Sequence, residues 1–281
     1  MKFVFFGYDF MLPSALRLIE DGHSLAAIFT FPCDNVFNFN TDCQTIAGRI
    51  NIPLIQSPAT PGHIEDFINQ GCNAFIAAGY PHKIPPIDEE KAYAINVHPT
   101  YLPYARGLMP IPKIIMQNLG KAAGFTAHKM TQKFDAGDIL IQHKFNLGPK
   151  ETVETYTAKI ALHAPDMISA LFADLPKHWK EARPQNEKAA FTLPAPTDEE
   201  RMLDWTKPVH DIDTVGRAFG RFGSIAHFDA RLWVVYDYDV WQEKHKLTPG
   251  TVAARLSREI VIAAQNGFVC LKAFEATDIT G

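Results

Sequence analysis

Apolar runs and amphipathic stretches alternate through the first two thirds of the chain, and the alternation predicts strands and helices in turn. Lys2 to Gly7 is almost continuously apolar and reads as a buried central strand. Leu12 to Glu20 carries Leu12, Leu16 and Ile19 at helical spacing. Strands are then expected at Leu25 to Thr30, Leu54-Ile55, Asn73 to Ala78 and Ala92 to Val97, with helices at Thr41 to Ile50 and Ile64 to Gln70 between them. Ile111 to Gln117 predicts a helix, Gly124 to Met130 and Ile139 to Phe145 predict strands, and Thr152 to Phe172 predicts a long helix with acidic residues near its start. Strands separated by helices argue for an α/β fold, a doubly wound, mostly parallel sheet. Ligands in such sheets collect beyond the carboxyl ends of the strands.

The pattern changes after residue 177. Lys177 to Pro196 is polar and punctuated by proline, then Val209 to Phe219 reads as a helix. Short β-rich runs follow at Leu232 to Tyr236, Thr251 to Ala253, Ile260 to Ala263 and Phe268 to Leu271. The expected organisation is an α/β domain over residues 1–180, a linker over 181–205, and a small β-barrel-like, OB-like domain over 206–281.

Composition narrows the class without naming it. A 281-residue chain with 47% hydrophobic and 21% charged residues is an ordinary soluble globular protein. Its net charge of -4 supplies no general attraction to nucleic acid or anionic membrane. Cys33, Cys43, Cys72 and Cys270 are scattered, so neither a zinc site nor a disulfide framework is indicated. With an apolar strand at the start and no apolar run of about 20 residues, a cytoplasmic location and no membrane partner are expected.

The candidate chemistry sits where the Ala92 to Val97 run ends. The sequence there is Asn96-Val97-His98-Pro99-Thr100-Tyr101-Leu102-Pro103-Tyr104-Ala105-Arg106-Gly107. On a strand, Asn96 and His98 share one face, so an amide and an imidazole converge at a strand end. Such a pair can hold a developing oxyanion and handle a proton. Phe134-Asp135-Ala136-Gly137-Asp138-Ile139-Leu140 offers a carboxylate on a turn one strand later.

These two motifs, in this order, resemble the folate-dependent formyltransferases, which pair Asn-x-His-Pro-Ser-x-Leu-Pro and a following Arg-Gly with a later Asp-x-Gly-x-Ile/Met. Thr100 stands where the family usually has Ser, and the spacing from Asn96 to Asp135 is about one residue longer than usual. Asp204-Trp205, Pro208, Arg217-Ala218 and Pro249-Gly250-Thr251-Val252 resemble the family's C-terminal domain. The resemblance implies a Rossmann-like catalytic domain and 10-formyltetrahydrofolate as co-substrate, with Asn96, His98 and Asp135 as the catalytic set and no metal. It implies a folate pocket drawn from Gly79, Tyr80, His82, Ile84, Leu102, Arg106, Gly107, Gly137 and Asp138, and acceptor contacts from Tyr8, Asp9 and Met109. Bland readings stand beside these. Gly7-Tyr8-Asp9 is also a tight strand-to-helix turn, and His82-Lys83 is also an exposed pair. Phe31, Phe37 and Phe39 are core or pocket wall, and His128, His143 and His163 read as ordinary side chains.

The acceptor is the open question. In the methionyl-tRNA formyltransferases the segment after the second strand is a long basic loop. Here Phe31 to Asp42 holds no Lys or Arg, and the chain from Lys207 onward balances nine basic with nine acidic residues. Nucleic acid is therefore not the expected partner. The loop and the Tyr80-Pro81-His82-Lys83-Ile84 stretch look more like the nucleotide-linked amino-sugar formyltransferases. A small amine acceptor is expected, an amino sugar first and an ornithine-type amine next, with methionyl-tRNA, transfer to water and a non-catalytic folate-binding role as alternatives. A homodimer is left open.

Overall fold

A computed structural model of the chain describes residues 1–33 and 38–276. Strand β1 (Lys2–Gly7) has Phe3, Val4, Phe5 and Phe6 all buried, as a strand covered on both faces requires. Helix α1 (Leu12–Glu20), β2 (Ser24–Phe29), α2 (Thr41–Arg49), β3 (Leu54–Ile55), α3 (Pro61–Asn69), β4 (Ala74–Ala78) and β5 (Tyr93–His98) follow in the expected alternation. Helix α3 begins three residues before the apolar spacing predicts, because Thr60 accepts from the His63 N–H and the His63 ring returns the contact. That capping box, with proline at the first turn, fixes the start.

After α4 (Pro110–Met116) come β6 (Gly124–Lys129) and β7 (Ile139–Lys144). The sheet runs β3-β2-β1-β4-β5-β6-β7, parallel through β5 and antiparallel for its last two pairings. Chain order moves outward from β1 to β3 and then returns to β4 on the other side of β1. The carboxyl ends near that reversal, and at β5 beyond it, are where a crevice forms. In the β5–β6 ladder Asn96 stands opposite His128, and His98 opposite Thr126. Helix α5 (Val153–Ala173) is the expected long helix, and α6 (Leu175–Lys180), which composition did not signal, is capped by the Asp174 side chain.

By compactness the chain forms two units. The first is Met1–Leu108, Gly120–Asn146 and Thr157–Leu193; the second is Met109–Leu119, Leu147–Tyr156 and Pro194–Gly281. In the second, α7 (Val209–Phe219) accompanies a five-stranded antiparallel sheet of β8 (Ser224–Phe228), β9 (Arg231–Gln242), β10 (Val252–Arg255), β11 (Ile260–Ala264) and β12 (Gly267–Ala276), ordered β10-β11-β12-β9-β8. Strand β8 was not expected from the sequence. It is short and follows a glycine-rich turn, and Leu232 to Tyr236 of its partner gave the clearer signal. Trp205, Ile212, Phe228, Ile262 and Leu271 belong to this unit's core, and the Trp205 indole N–H donates to the His227 carbonyl at 2.8 Å. Among the described residues no helix is long and apolar enough to cross a membrane.

Asp9 takes part in the fold in a way its type does not announce. Its carboxylate accepts the backbone N–H groups of Asp42 and Cys43 at 3.0 and 2.9 Å, capping α2 from a distant loop. The local N-cap residue, Asn40, makes no side-chain cap. Asp9→Ala is expected to cost about 1 kcal/mol in urea unfolding, the usual loss of an N-cap. A raised KM with unchanged stability would instead make Asp9 an acceptor contact.

Candidate active site

Period-two alternation along β5 puts Asn96 and His98 on one face, and both side chains reach the same carboxylate oxygen. Asn96 Nδ2 donates to Asp135 Oδ1 at 3.3 Å, and His98 Nδ1 lies 3.5 Å from that oxygen. The other carboxylate oxygen, Oδ2, accepts the Gly107 N–H at 2.9 Å. A third side chain joins them: His128 Nε2 lies 3.0 Å from Asn96 Nδ2 and 3.7 Å from Asp135 Oδ1. His128 read as ordinary in the sequence. Its position opposite Asn96 across an antiparallel ladder is the signal that would have found it, and that signal needs the register of β5 against β6.

The hydrogen-bond partners fix the proton positions. Only a donor can face a carbonyl, so His98 Nε2–H donates to the Ala105 carbonyl at 3.1 Å, and His128 Nδ1–H donates to the Lys129 carbonyl at 2.8 Å. In the neutral rings this leaves His98 Nδ1 and His128 Nε2 as lone-pair acceptors. His128 Nε2 therefore accepts one Asn96 amide hydrogen, and Asp135 accepts the other. Burial pushes the His98 pKa below the ordinary imidazole value, against the opposing pull of Asp135. Burial alone would raise the Asp135 pKa, but the neighbouring His128 and His98 rings when they carry charge, together with the Gly107 N–H, outweigh it and hold it at about 2. Near neutral pH the site holds a neutral imidazole beside an ionised carboxylate.

Backbone geometry sets the carboxylate in place. Asp135 adopts a left-handed φ of 54°, which turns the loop back toward β5. A Cβ at position 137 would lie 1.9 Å from the Lys129 carbonyl, so Gly137 is required by close approach. Gly107 has φ 110° and would place a Cβ 2.4 Å from the Leu193 carbonyl. The 181–205 stretch, polar in composition, supplies further partners. Gln185 is buried and donates to the carbonyls of Asp135 and Gly137 at 2.8 and 2.7 Å. Arg183 exchanges backbone hydrogen bonds with Ile139, and Phe191 and Leu193 do so with Arg106. The Arg106 guanidinium, 5% exposed, is engaged by Gln185 and Glu187.

The remaining expected site residues are placed as follows. Gly79 turns at φ 73° beneath the Tyr8 ring, and Tyr8 packs against Phe10 and Phe31. Tyr80 meets Phe6 and His82 edge-on, and Ile84 packs against the core of β1, β2 and β4. Leu102 is buried, its N–H donating to Thr126. The Asp138 carbonyl accepts from Lys129. Met109 belongs to the second unit, with half its surface exposed and a left-handed backbone. Phe39 is exposed, while Phe37 and the Asp34-Asn35 pair lie outside the described residues. A cavity of about 300 Å³ in the second unit, lined by Ile115, Leu147, Glu151 and Arg217 among others, includes none of these side chains.

The Asp135 shift has a consequence for stability. A carboxylate lowered from 3.8 to about 2 stabilises the fold above about pH 4. That contribution, roughly 2 kcal/mol, is lost as pH falls from about 4 to 2. Urea unfolding across this range is expected to show a steeper acid loss in the parent than in Asp135→Asn. Parallel curves would mean the carboxylate is not held low.

Comparison with known proteins bears on this arrangement. Residues 65–171 match the formyl transferase model, and residues 196–278 match the formyl transferase C-terminal domain model. A methionyl-tRNA formyltransferase from Geobacillus sp. is 29% identical over 95% of this chain and 86% of its own. HypX from Aquifex aeolicus superposes with a TM-score of 0.76 at 16% identity over 98% of this chain, which spans only 45% of HypX. An N-formyltransferase from Helicobacter canadensis, solved with folinic acid and dTDP-3-aminofucose, superposes with a TM-score of 0.66 at 14% identity, over 98% of this chain and all of its own. With both of its parts matched, the chain belongs to the formyl transferase family.

Proposed function

We propose that this formyltransferase passes its formyl group to the primary amine of a small molecule, a nucleotide-linked amino sugar first, with Asn96, His98 and Asp135 as the catalytic residues. The donor is 10-formyltetrahydrofolate, the co-substrate that the family's motifs imply and that the retained Asn96, His98 and Asp135 suit. The observation that carries the chemistry is their convergence on Asp135 Oδ1.

The reaction needs a neutral amine, a stabilised oxyanion, a place for the amine's proton, and return of a proton to folate N10, which leaves as its bond to the formyl carbon breaks. His98, kept neutral by burial, accepts that proton at Nδ1, since Nε2 already donates to Ala105. The imidazolium forms 3.5 Å from the ionised Asp135, so its charge is balanced where it arises. Asn96 supplies the N–H for the oxyanion by releasing one of its two resting contacts; such a donor lowers the barrier by on the order of 3–4 kcal/mol. Gly107 and Gln185 hold Asp135 still while this happens.

For the acceptor, charge is the supporting observation. Nine basic and nine acidic residues from Lys207 onward give no net pull on a phosphate backbone, and Phe31 to Asp42 adds no cation. A compact ligand read by a few polar groups fits such a surface better. The sugar-nucleotide ligand of the Helicobacter canadensis enzyme is of this kind. Methionyl-tRNA is the second reading, favoured by the name of the Geobacillus relative. A cytoplasmic setting accords with four free cysteines.

Asn96→Ala, His98→Ala and Asp135→Ala are each expected to cut turnover by roughly 100-fold or more in folded protein. Near-parent turnover in any one removes that residue from the mechanism. The acceptor is tested by incubating the protein with 10-formyltetrahydrofolate and separate pools of amino-sugar nucleotides, ornithine derivatives and methionyl-tRNA, then finding the formylated product by mass spectrometry. Formylation of an amino-sugar nucleotide is expected. Salt-sensitive formylation of the tRNA alone would establish the second reading, and formate without any formylated amine would mark a hydrolase.

A further inference from the structure

We infer that His128 is the positioning residue of this site: it holds the Asn96 amide in register with Asp135 and His98. Three observations carry the assignment. His128 Nε2 is 3.0 Å from Asn96 Nδ2, its Nδ1–H is anchored on the Lys129 carbonyl at 2.8 Å, and the side chain is 2% exposed. The anchor fixes the tautomer, so Nε2 presents a lone pair and nothing else to the Asn96 amide.

Asn96 without this partner is held by one hydrogen bond, the 3.3 Å contact to Asp135 Oδ1. A single long bond leaves the amide plane free to rotate about it. Two bonds, to acceptors on different elements, define the plane and point both hydrogens. His128 sits on β6 directly across the ladder from Asn96, while Asp135 comes from the β6–β7 loop. The amide is therefore spanned between a strand and a loop, and its direction follows from sheet register. His128 also meets Asp135 Oδ1 at 3.7 Å, too far for a hydrogen bond, so the amide nitrogen, within bonding reach of both, is what links imidazole and carboxylate.

The inference rests on the reading above that Asn96 acts in formyl transfer, so the test includes a readout that needs no turnover. In amide-detected NMR, the Asn96 side-chain NH2 pair is identified by its loss in Asn96→Ala. His128→Leu is expected to shift that pair and to lower kcat by about 10- to 100-fold, the scale of a misplaced group, with KM for 10-formyltetrahydrofolate unchanged. His128→Gln, which can place an acceptor where Nε2 stood, is expected to restore most of kcat. His128→Asn, which reproduces only the Nδ1 position, is not. In an Asn96→Ala background, His128→Leu is expected to add no further loss.

An Asn96 pair unmoved by His128→Leu overturns the inference, whatever the turnover. So does a full, additive loss in the Asn96→Ala background, because His128 would then act independently. If the pair shifts while Asn96→Ala is fully active, the positioning stands and the functional reading of Asn96 falls. Should His128→Leu fail to fold, the contrast between His128→Gln and His128→Asn carries the same decision.

Discussion

One half-buried carboxylate ties together segments that sheet topology alone leaves separate. Asp135 Oδ2 takes the Gly107 N–H from the loop after β5, and Oδ1 takes Asn96 from the strand itself. The Asp135 carbonyl takes Gln185 from the chain beyond α6. A carboxylate this little exposed needs donors to replace its lost hydration, and here its two donors come from different stretches of sequence. The bonds that satisfy the charge, together with Gln185 on the main-chain carbonyl, therefore fix the Gly107, Asp135 and Gln185 segments relative to the strand end. The left-handed backbone at Asp135 and the absent side chain at Gly137 are local conditions for that closure.

The two histidines follow one rule with different results. Each gives one ring N–H to a main-chain carbonyl, and each turns its remaining lone pair inward. His98 faces the carboxylate with that lone pair, an arrangement that is uncomfortable until a proton arrives and favourable afterwards. In the proposed mechanism it is a base waiting for its proton. His128 faces an amide N–H, an arrangement already satisfied, which suits a support and not a proton acceptor. Tautomer, set by backbone carbonyls, separates the roles of two chemically identical side chains.

Legibility in the sequence tracks how local each signal is. The strands β1, β4 and β5 and the helices α1 and α7 announce themselves by period, because burial on one face or two dictates apolar spacing along a few residues. Asn96, His98 and Asp135 are legible because two short motifs flank them. His128 is not, since only the pairing of β5 with β6 brings it to Asn96, and pairing is a property of two segments together. The Arg183 to Leu193 stretch is hidden for another reason. Its polar residues look solvated, yet Gln185 is buried against Asp135 and Arg106, and the exposed Glu187 pairs with the Arg106 guanidinium. Arg106, expected to meet a ligand, has its guanidinium occupied by that network, and Asp9 has its carboxylate occupied by the start of α2.

Acceptor choice belongs to a different scale from the chemistry. In the proposed mechanism the convergent carboxylate, amide and imidazole treat any neutral amine alike, so they place no limit on what carries it. A tRNA would have to be held over a wide surface by many phosphate contacts, each needing a cation, and the affinity would fall steeply with salt. A sugar nucleotide needs one or two cations and a wall for its base. The first unit's loops can satisfy the second requirement with Phe31, Phe39 and Tyr8 without any basic face. The 29% identity to a methionyl-tRNA formyltransferase, over 95% of this chain, does not by itself name the acceptor. On the proposed reading, the charge balance outside the strand-end site is the feature that separates the acceptors.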